Sequence, residues 1–249
     1  MPTDATDFVA AIQTLVEGAV DLGLTLSRDQ IAQFTRYASL LEDWNEKLNL
    51  TRVPPEEYAT LHFLDSLTLL PLIRNPQSAI RNPKLLDVGS GAGLPGLALK
   101  IAIPTLDVTL MDSTKKKLDF LDVVFTDLEL TGIRSLHARA EEAGRDPTHR
   151  EKYDIVVARA VSEMNILAEW LLPLTKVGGT AIAMKSAGAE PEIEKAKLAI
   201  RKVGGKLQAV EQVRIPNTEI DRLLVVMQKD RPTEFQFPRP GTIIKQRPL

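Results

Sequence analysis

The sequence contains no cysteine. This absence excludes disulfide bonds and disulfide partners, thiolate-ligated zinc, iron–sulfur clusters and any reaction that uses a thiolate nucleophile. The three histidines are scattered along the chain, at His62, His137 and His149. Because transition-metal sites need several such ligands close together, the sequence predicts no metal site. A chain without cysteine also suits a reducing compartment, and we predict a cytoplasmic protein.

Long hydrophobic runs are also missing. The longest stretch without an ionisable residue, Val88–Leu99, has 12 residues, whereas a membrane-spanning helix needs about 20 apolar residues. The first ten residues carry two acids and no base, which is unlike a signal peptide. We therefore expect no membrane segment. The net charge of −2 excludes a histone-like polycation but allows a local basic face.

Three regions can be separated along the 249 residues. Residues 1–83 are predicted to form a helical extension, residues 84–230 the main domain, and residues 231–249 a basic, proline-rich tail. The segment Arg74–Lys84, which contains Asn-Pro twice, is predicted to be a linker. The length is ordinary for one large domain with appendages.

The extension has clear helix signals. Ser27 and Gln30 have the spacing of a capping box, and apolar residues then recur every three or four positions from Ile31 to Leu48. Pro54 and Pro55 should end this helix and start another. We predict that this second helix runs from about Glu56 to Ile73.

From Leu85 onward, strand-like runs alternate with helical patterns. This alternation predicts a parallel sheet covered by helices on both faces. Two further strand-like runs at 206–215 and 223–227 predict an antiparallel hairpin that closes the sheet. Such an ending is typical of methyltransferases more than of dinucleotide dehydrogenases. The strand-like runs of the parallel part lie at 84–88, 108–112, 135–138, 154–158 and 180–184.

The strongest local motif is the glycine-rich segment Asp87–Gly96, which follows a strand and precedes a helix. Glycines allow a tight turn and close approach of the backbone to a ligand, and a helix N-terminus offers free N–H donors. The spacing of Gly91, Gly93 and Gly96 also matches the dinucleotide fingerprint, which alone is weak. A glycine-rich turn that binds no ligand is a further reading of the same residues.

Two acids bear on which cofactor this loop holds. Asp87 lies inside the motif, where it can face an ammonium group, and this favours S-adenosylmethionine (SAM) over a pyrophosphate. Asp112 ends the next strand, where a carboxylate can accept both ribose hydroxyls of SAM or of a dinucleotide. The second acid therefore does not discriminate between the two.

The chain resembles the RsmG/GidB family of small-subunit rRNA guanine-N7 methyltransferases over almost its whole length from Leu41. The resemblance is carried by segments 44–45, 49–51, 62–66, 87–96, 110–113, 117–121, 140–142, 158–160, Lys185 and the tail from Pro238 to Leu249. It implies a Rossmann-like, class I SAM-dependent methyltransferase fold with a mostly parallel seven-stranded sheet. It also implies that Gly89, Leu94, Ala140, Glu141 and Arg159 contact SAM.

Together, the motif and the resemblance give three sets of candidate site residues. Arg159 and Lys185 are predicted to be catalytic. The predicted cofactor-binding residues are Asp87, Gly89, Gly91, Gly93, Leu94, Asp112, Ala140, Glu141 and Arg159. The predicted contacts with substrate RNA are Asn49, His62, Lys115, Lys116, Lys117 and Arg239.

The implied chemistry agrees with what the chain offers. Guanine N7 carries a lone pair and no proton, so its methylation needs alignment and electrostatic support but no general base. The lack of cysteine excludes the pyrimidine C5 methyltransferases. The segment Ala158–Val161 replaces the Asn/Asp-Pro-Pro-aromatic motif usual in amino-group methyltransferases, which counts against an exocyclic amine target.

Several candidates have simpler structural explanations that stay open. An ion pair with Glu141 or Glu163 would account for Arg159. His62, Asp65 and Ser66 share one helix face and could form a hydrogen-bonded cluster that fixes the extension to the core. Lys115–Lys117 could be a solvated helix face, although cations at a helix start oppose the dipole.

We predict a SAM-dependent methyltransferase that methylates N7 of a guanine in 16S rRNA of the small ribosomal subunit and releases S-adenosylhomocysteine. The alternatives are a SAM-dependent methyltransferase of another RNA or of a protein, and a non-catalytic regulator that binds SAM or a nucleotide. An NAD-dependent oxidoreductase is a weaker third class.

Overall fold

The structure is a computed structural model that describes residues 5–74 and 82–249, with side chains from residue 11 onward in the first range. Most of the predicted linker Arg74–Lys84 lies outside these residues. In the part of the chain described, no helix combines the length and apolar character needed to cross a membrane.

A seven-stranded sheet forms the centre of the molecule, in the order β3-β2-β1-β4-β5-β7-β6. Neighbouring strands among β1 to β5 are parallel, while β7 pairs antiparallel with both β5 and β6. This confirms the predicted fold class, including the C-terminal hairpin. The strands are β1 (Lys84–Val88), β2 (Asp107–Asp112), β3 (Ile133–His137), β4 (Tyr153–Arg159), β5 (Thr175–Ser186), β6 (Gly205–Arg214) and β7 (Asp221–Lys229).

The strand order reverses between β1 and β4. From β1 the chain continues outward to β2 and β3, and then returns to the other side of β1 for β4 and β5. In open α/β sheets, ligands bind at such a reversal, outside the carboxyl ends of the strands. The fold therefore marks the loops after β1 and β4 as the place for a site.

Apolar side chains cover both faces of the sheet because alternate strand residues point to opposite sides. One face packs against the N-terminal helices, α5 and α6. The other face packs against α8, α9 and the tail. These helices are α5 (Gly96–Ala102), α6 (Lys115–Asp127), α7 (Ala140–Ala143), α8 (Met164–Leu171), α9 (Glu190–Lys202) and α10 (Gly241–Gln246).

The extension begins with α1 (Ala5–Asp21) and α2 (Arg28–Leu48). The predicted capping box is present: the Gln30 N–H donates to Ser27 Oγ, and the Ser27 N–H donates to Gln30 Oε1. Phe34, Tyr37 and Leu41 are buried on one face of α2, in the same apolar cluster as α5 and α6. The extension therefore shares its core with the sheet domain.

The prediction of one continuous helix from Glu56 to Ile73 is wrong. The segment is helical but divided into a 3₁₀ turn (Pro55–Glu57), a π-helix (Tyr58–Leu64), α3 (Asp65–Leu67) and α4 (Leu70–Ile73). The hydroxyls of Ser66 and Thr68 donate to the carbonyls of His62 and Asp65, and Pro71 has no N–H to donate. These features interrupt a regular ladder of hydrogen bonds.

The tail folds back onto the sheet domain. Phe237 and Ile244 are buried in the cluster around α8 and α9. The Arg150 guanidinium donates to four carbonyls, three of them in the segment 233–237. The domain boundaries at 83/84 and 230/231 stay predictions.

Candidate active site

A cavity of about 360 Å³ lies at the carboxyl ends of β1, β2 and β4. We call it the main cavity. It includes five of the predicted cofactor-binding residues: Gly89, Asp112, Ala140, Glu141 and Arg159. Its full lining is Val88 and Gly89 at the end of β1, Met111–Thr114 at the end of β2, Ala138–Glu141 after β3, Arg159–Val161 at the end of β4, and Lys117, Trp170 and Lys245.

The glycine-rich loop has the shape that the motif predicts. Gly89 has a φ of +73°, and a Cβ at this position would lie 2.9 Å from a methyl carbon of Val161. A side chain on Gly89 would therefore meet the opposite wall of the main cavity. Gly93 and Leu94 are buried and absent from the cavity lining. Their predicted contact with the cofactor stays a prediction.

Asp112 ties the loops after β1 and β2 together. Its Oδ2 accepts a hydrogen bond from the Gly91 N–H at 3.0 Å, and its Oδ1 accepts one from the Thr114 N–H at 2.8 Å. Each carboxylate oxygen has two lone pairs, so both can still accept a ligand hydroxyl. The main cavity thus contains an oriented carboxylate.

Asp87 is fully buried behind the loop and is absent from the cavity lining. Its Oδ2 accepts a hydrogen bond from the Gly96 N–H at 2.8 Å at the start of α5. Its Oδ1 is buried with no hydrogen-bond partner among the described residues. Burial raises the pKa of Asp87 to about 7, against the lowering effects of the Gly96 N–H and the Arg159 charge. Direct contact between Asp87 and a ligand ammonium stays a prediction.

Arg159, on the lining of the main cavity, pairs with a residue that sequence reasoning did not name for it. Its Nη1 donates to Asp65 Oδ2 at 3.0 Å and to the Leu61 carbonyl at 3.1 Å. Asp65 is 2% exposed and also accepts from Arg222, whose Nε lies 3.0 Å from Oδ1. The proposed ion pairs with Glu141 or Glu163 are wrong. Arg159 is anchored by the extension instead.

His62 belongs to the same cluster and is absent from the lining of the main cavity. Its Nε2 lies 2.8 Å from Thr51 Oγ1, its Nδ1 lies 3.1 Å from the Leu61 carbonyl, and its ring stacks on Tyr58. Burial, aided by the nearby Arg159 charge, lowers the pKa of His62 to about 4. The imidazole is therefore neutral near pH 7, and its contact with RNA stays a prediction.

A second, more open pocket of about 570 Å³ adjoins the main cavity and shares Ala160, Val161 and Lys245 with it. We call it the adjoining pocket. Its other lining residues are Ser162, Glu163, Ile166, Lys185 and Pro248. The Lys185 ammonium forms an ion pair with Glu192 at 2.8 Å and donates to the Ser162 carbonyl at 2.9 Å. The two predicted catalytic residues, Arg159 and Lys185, therefore line neighbouring cavities.

The predicted RNA contacts fall in different environments. Asn49 is exposed and ends α2 in a left-handed conformation. Lys115 and Lys116 are exposed on the first turn of α6, and Lys117 lines the main cavity. The Arg239 guanidinium is occupied by Glu169, with Nη2 2.7 Å from Oε2. The structure thus gives Arg239 a role in fastening the tail, while all of these RNA contacts stay predictions.

Sequence reasoning missed Trp170 as a cavity residue. Trp170 lies on α8 and borders the main cavity, and its Nε1 is buried without a hydrogen-bond partner in the described part of the chain. Lys245 reaches both cavities only because the tail folds back over α8. A basic residue in the tail could be read from the sequence, but its position over a cavity could not.

Within residues 5–74 and 82–249, no group of three or more His, Cys, Asp or Glu side chains could hold a metal ion. The lining of the main cavity is suited to an organic ligand, since it combines the carboxylates of Asp112 and Glu141, the guanidinium of Arg159 and the indole of Trp170.

Comparison with known proteins identifies the family. The family model of GidB, the rRNA small subunit methyltransferase G, matches residues 30–221. The chain belongs to this family. It is 43% identical to "Ribosomal RNA small subunit methyltransferase G" of Acetivibrio thermocellus over 236 residues, covering 94% of this chain and 95% of the relative. It is 44% identical to the protein of that name from Roseiflexus castenholzii, covering 94% and 98% of the two chains.

The predicted family and the predicted enzyme class, a methyltransferase, are therefore confirmed. Among solved structures, the CMeT domain of the citrinin polyketide synthase matches with a TM-score of 0.51 and 12% identity, over 81% of this chain and 66% of that one. That likeness shows the fold alone.

Proposed function

We propose that the chain is a SAM-dependent methyltransferase that methylates N7 of a guanine in 16S rRNA of the small ribosomal subunit. The observation that carries this proposal is the main cavity, which lies where the strand order reverses and is bordered by Gly89, Asp112 and Arg159. The names of the relatives, which refer to small-subunit rRNA, supply the substrate class.

The residues of the main cavity fit SAM. Gly89 leaves room that a Cβ would fill, Asp112 retains lone pairs for ribose hydroxyls, and the buried Trp170 Nε1 is a donor without a protein partner among the described residues. The Arg159 fork can bind a carboxylate, because only Nη1 is used by Asp65 and Leu61 among the described partners. When bound, SAM supplies an electrophilic methyl group on a sulfonium.

The chain's own contribution to the reaction is alignment. Guanine N7 attacks with its lone pair, so no residue has to remove a proton. Neither Arg159 nor the ion-paired Lys185 has to act as a base, and both are suited to orient charged or polar groups. The neutral, buried His62 is consistent with the same chemistry, since it is not required as a proton acceptor.

Contacts with the RNA backbone come from local cations. Lys115, Lys116 and Lys117 lie beside the main cavity at the start of α6, where the RNA that carries the target guanine would pass. Because the net charge is −2, these local contacts must supply most of the attraction to phosphate. The absence of cysteine and the rRNA substrate favour a cytoplasmic location.

The test is methylation in vitro with labelled SAM. Small ribosomal subunits from a strain that lacks the gene, naked 16S rRNA and transfer RNA are offered side by side, and the labelled nucleoside is identified by mass spectrometry. We expect 7-methylguanosine in 16S rRNA. Label in transfer RNA, in a ribosomal protein or in another nucleoside would contradict the proposed substrate. Absence of methyl transfer to all three substrates offered would contradict the proposal that the chain is an enzyme.

A further inference from the structure

The adjoining pocket presents two cations, Lys185 and Lys245, and one carboxylate, Glu163. The Lys185 ammonium is held by an ion pair and a hydrogen bond, whereas the Glu163 side chain has no hydrogen-bond or ion-pair partner among the described residues. Both line the pocket beside Ala160 and Val161, which the pocket shares with the main cavity. The two groups therefore lie next to the place where methyl transfer is proposed to occur.

Lys185 has one donor to offer to a ligand. An ammonium has three N–H donors, and those of Lys185 include one directed to Glu192 and one to the Ser162 carbonyl. Glu192 is itself fixed, since it also accepts a hydrogen bond from the Met164 N–H at the start of α8. The remaining donor of Lys185 is thus oriented by α8 and α9 together.

Glu163 occupies the N-cap position of α8 but makes no capping hydrogen bond with its side chain. Its side chain is exposed and borders the adjoining pocket. A carboxylate can only accept hydrogen bonds. The pocket therefore offers a donor at Lys185 and an acceptor at Glu163.

This donor and acceptor pair matches the edge of guanine. The six-membered ring presents the O6 acceptor beside N7, followed by the N1–H and N2–H donors. Three consecutive residues connect these features. Val161 borders both cavities, the Ser162 carbonyl accepts a hydrogen bond from Lys185, and Glu163 is the next residue. Adenine presents a donor at position 6 and an acceptor at N1, which would oppose Lys185 and Glu163.

We propose that the adjoining pocket receives the Watson–Crick edge of the target guanine, with Lys185 donating to O6 and Glu163 accepting from N1–H and N2–H as the residue that selects guanine. The inference rests on the proposed function. Methylation at N7 leaves a positive charge on the purine, which makes N1–H and N2–H stronger donors. Glu163 would therefore bind the transition state more tightly than the substrate.

The experiment compares Glu163→Ala and Glu163→Gln with wild type, using small subunits from the gene-deletion strain. Glu163→Ala should lower kcat/KM for the subunits by about ten- to hundredfold, the effect of losing a charged acceptor. Glu163→Gln retains an acceptor oxygen but no charge, so it should lower kcat more than it raises KM. The dissociation constant for SAM, measured by calorimetry, should change by less than about twofold.

Glu194 provides a matched control, because it is an exposed glutamate on α9 that pairs with Lys197 at 2.6 Å and lies outside both cavities. Glu194→Ala should keep wild-type kcat/KM. The inference is overturned if Glu163→Ala stays within about twofold of wild type, or if its loss is matched by weaker SAM binding. If the wild type itself forms no 7-methylguanosine, the proposed function fails as well. This outcome can be told apart from failure of the inference alone, in which the wild type and the Glu163 variants are all active.

Discussion

The N-terminal extension and the C-terminal tail are both attached to the sheet domain through a buried carboxylate. They differ in which side of the attachment supplies the acid. The extension contributes the acid, Asp65, to two arginines of the sheet. The tail contributes the arginine, Arg239, to a fully buried acid of α8, Glu169. In each case the pairing compensates a carboxylate that would be costly to bury alone.

The two attachments differ in what they touch. Asp65 holds Arg159, which lines the main cavity, and Tyr37 of the extension donates to the Ala92 carbonyl inside the glycine-rich loop at 2.6 Å. Arg239 holds Glu169, which is absent from both cavity linings. We therefore expect the attachment of the extension at Asp65 to support the reaction itself. The attachment of the tail through Arg239 and Glu169 should act mainly through stability, although another tail residue, Lys245, lines both cavities.

The largest effect is expected from Asp65→Asn. This change leaves Arg159 and Arg222 without a charged partner around a side chain that is only 3% exposed. Removing one partner of a buried ion pair costs about 3–5 kcal/mol. Urea unfolding should show a loss of this size, and methyl transfer should fall further than the unfolded fraction explains.

Glu169→Gln is the matched comparison for that variant. It should also lower the free energy of unfolding, because Arg239 loses its charged partner, but methyl transfer by the folded protein should stay within a few-fold of wild type. Equal losses of activity per folded molecule in the two variants would remove the distinction between the attachment at Asp65 and the attachment at Glu169.

Asp87 is a buried carboxylate that forms no ion pair with the residues described, and its pKa of about 7 predicts a pH effect. Below about pH 4 the carboxyl group is protonated in both the folded and the unfolded chain. Between about 4 and 7 the folded chain keeps a proton that the unfolded chain has released, so stability falls as pH rises. By pH 8 the cost is on the order of 4 kcal/mol for a shift of this size.

Asp87→Asn should abolish this contribution, since the amide does not titrate and can still accept from the Gly96 N–H. The difference in unfolding free energy between variant and wild type should therefore move in favour of the variant from pH 4 to pH 8. A constant difference across this range would show that Asp87 does not titrate there.

Variants of Arg159 and Arg222 can distinguish the effect of the extension on the site from its effect on attachment to the sheet. Both bind Asp65, but only Arg159 lines the main cavity. Lysine keeps the charge and loses the planar fork. Arg159→Lys should reduce methyl transfer by about ten- to hundredfold, whereas Arg222→Lys should reduce it little. Calorimetry with SAM then decides whether Arg159 binds the cofactor or orients guanine.

The smallest effect concerns RNA affinity. Replacing Lys115, Lys116 and Lys117 by Ala should lower the slope of log affinity against log salt by about 0.7–0.9 for each phosphate that is no longer neutralised. SAM affinity should change little. The control replaces Lys195, Lys197 and Lys202 of α9 by Ala, which should leave the slope unchanged. An unchanged slope in the variant of Lys115–Lys117 would show that these lysines form a solvated helix face and do not contact phosphate.

The sheet could be predicted from the sequence because each strand is a short apolar run between helical patterns, and local signals decide such elements. The glycine-rich loop and Asp112 could be predicted for the same reason. The ion pair of Arg159 could not, because its partner Asp65 lies 94 residues earlier and is brought near only by packing. The π-helix at Tyr58–Leu64 and the positions of Trp170 and Lys245 depend equally on tertiary contacts.

The most direct test of the proposed activity is mass spectrometry of 16S rRNA digests from a strain that lacks the gene. We predict the loss of one 7-methylguanosine, its return when the wild-type gene is supplied, and little return with the Arg159→Lys variant. An unchanged 7-methylguanosine content in the deletion strain would contradict the proposed activity and favour a protein that binds SAM without modifying this RNA.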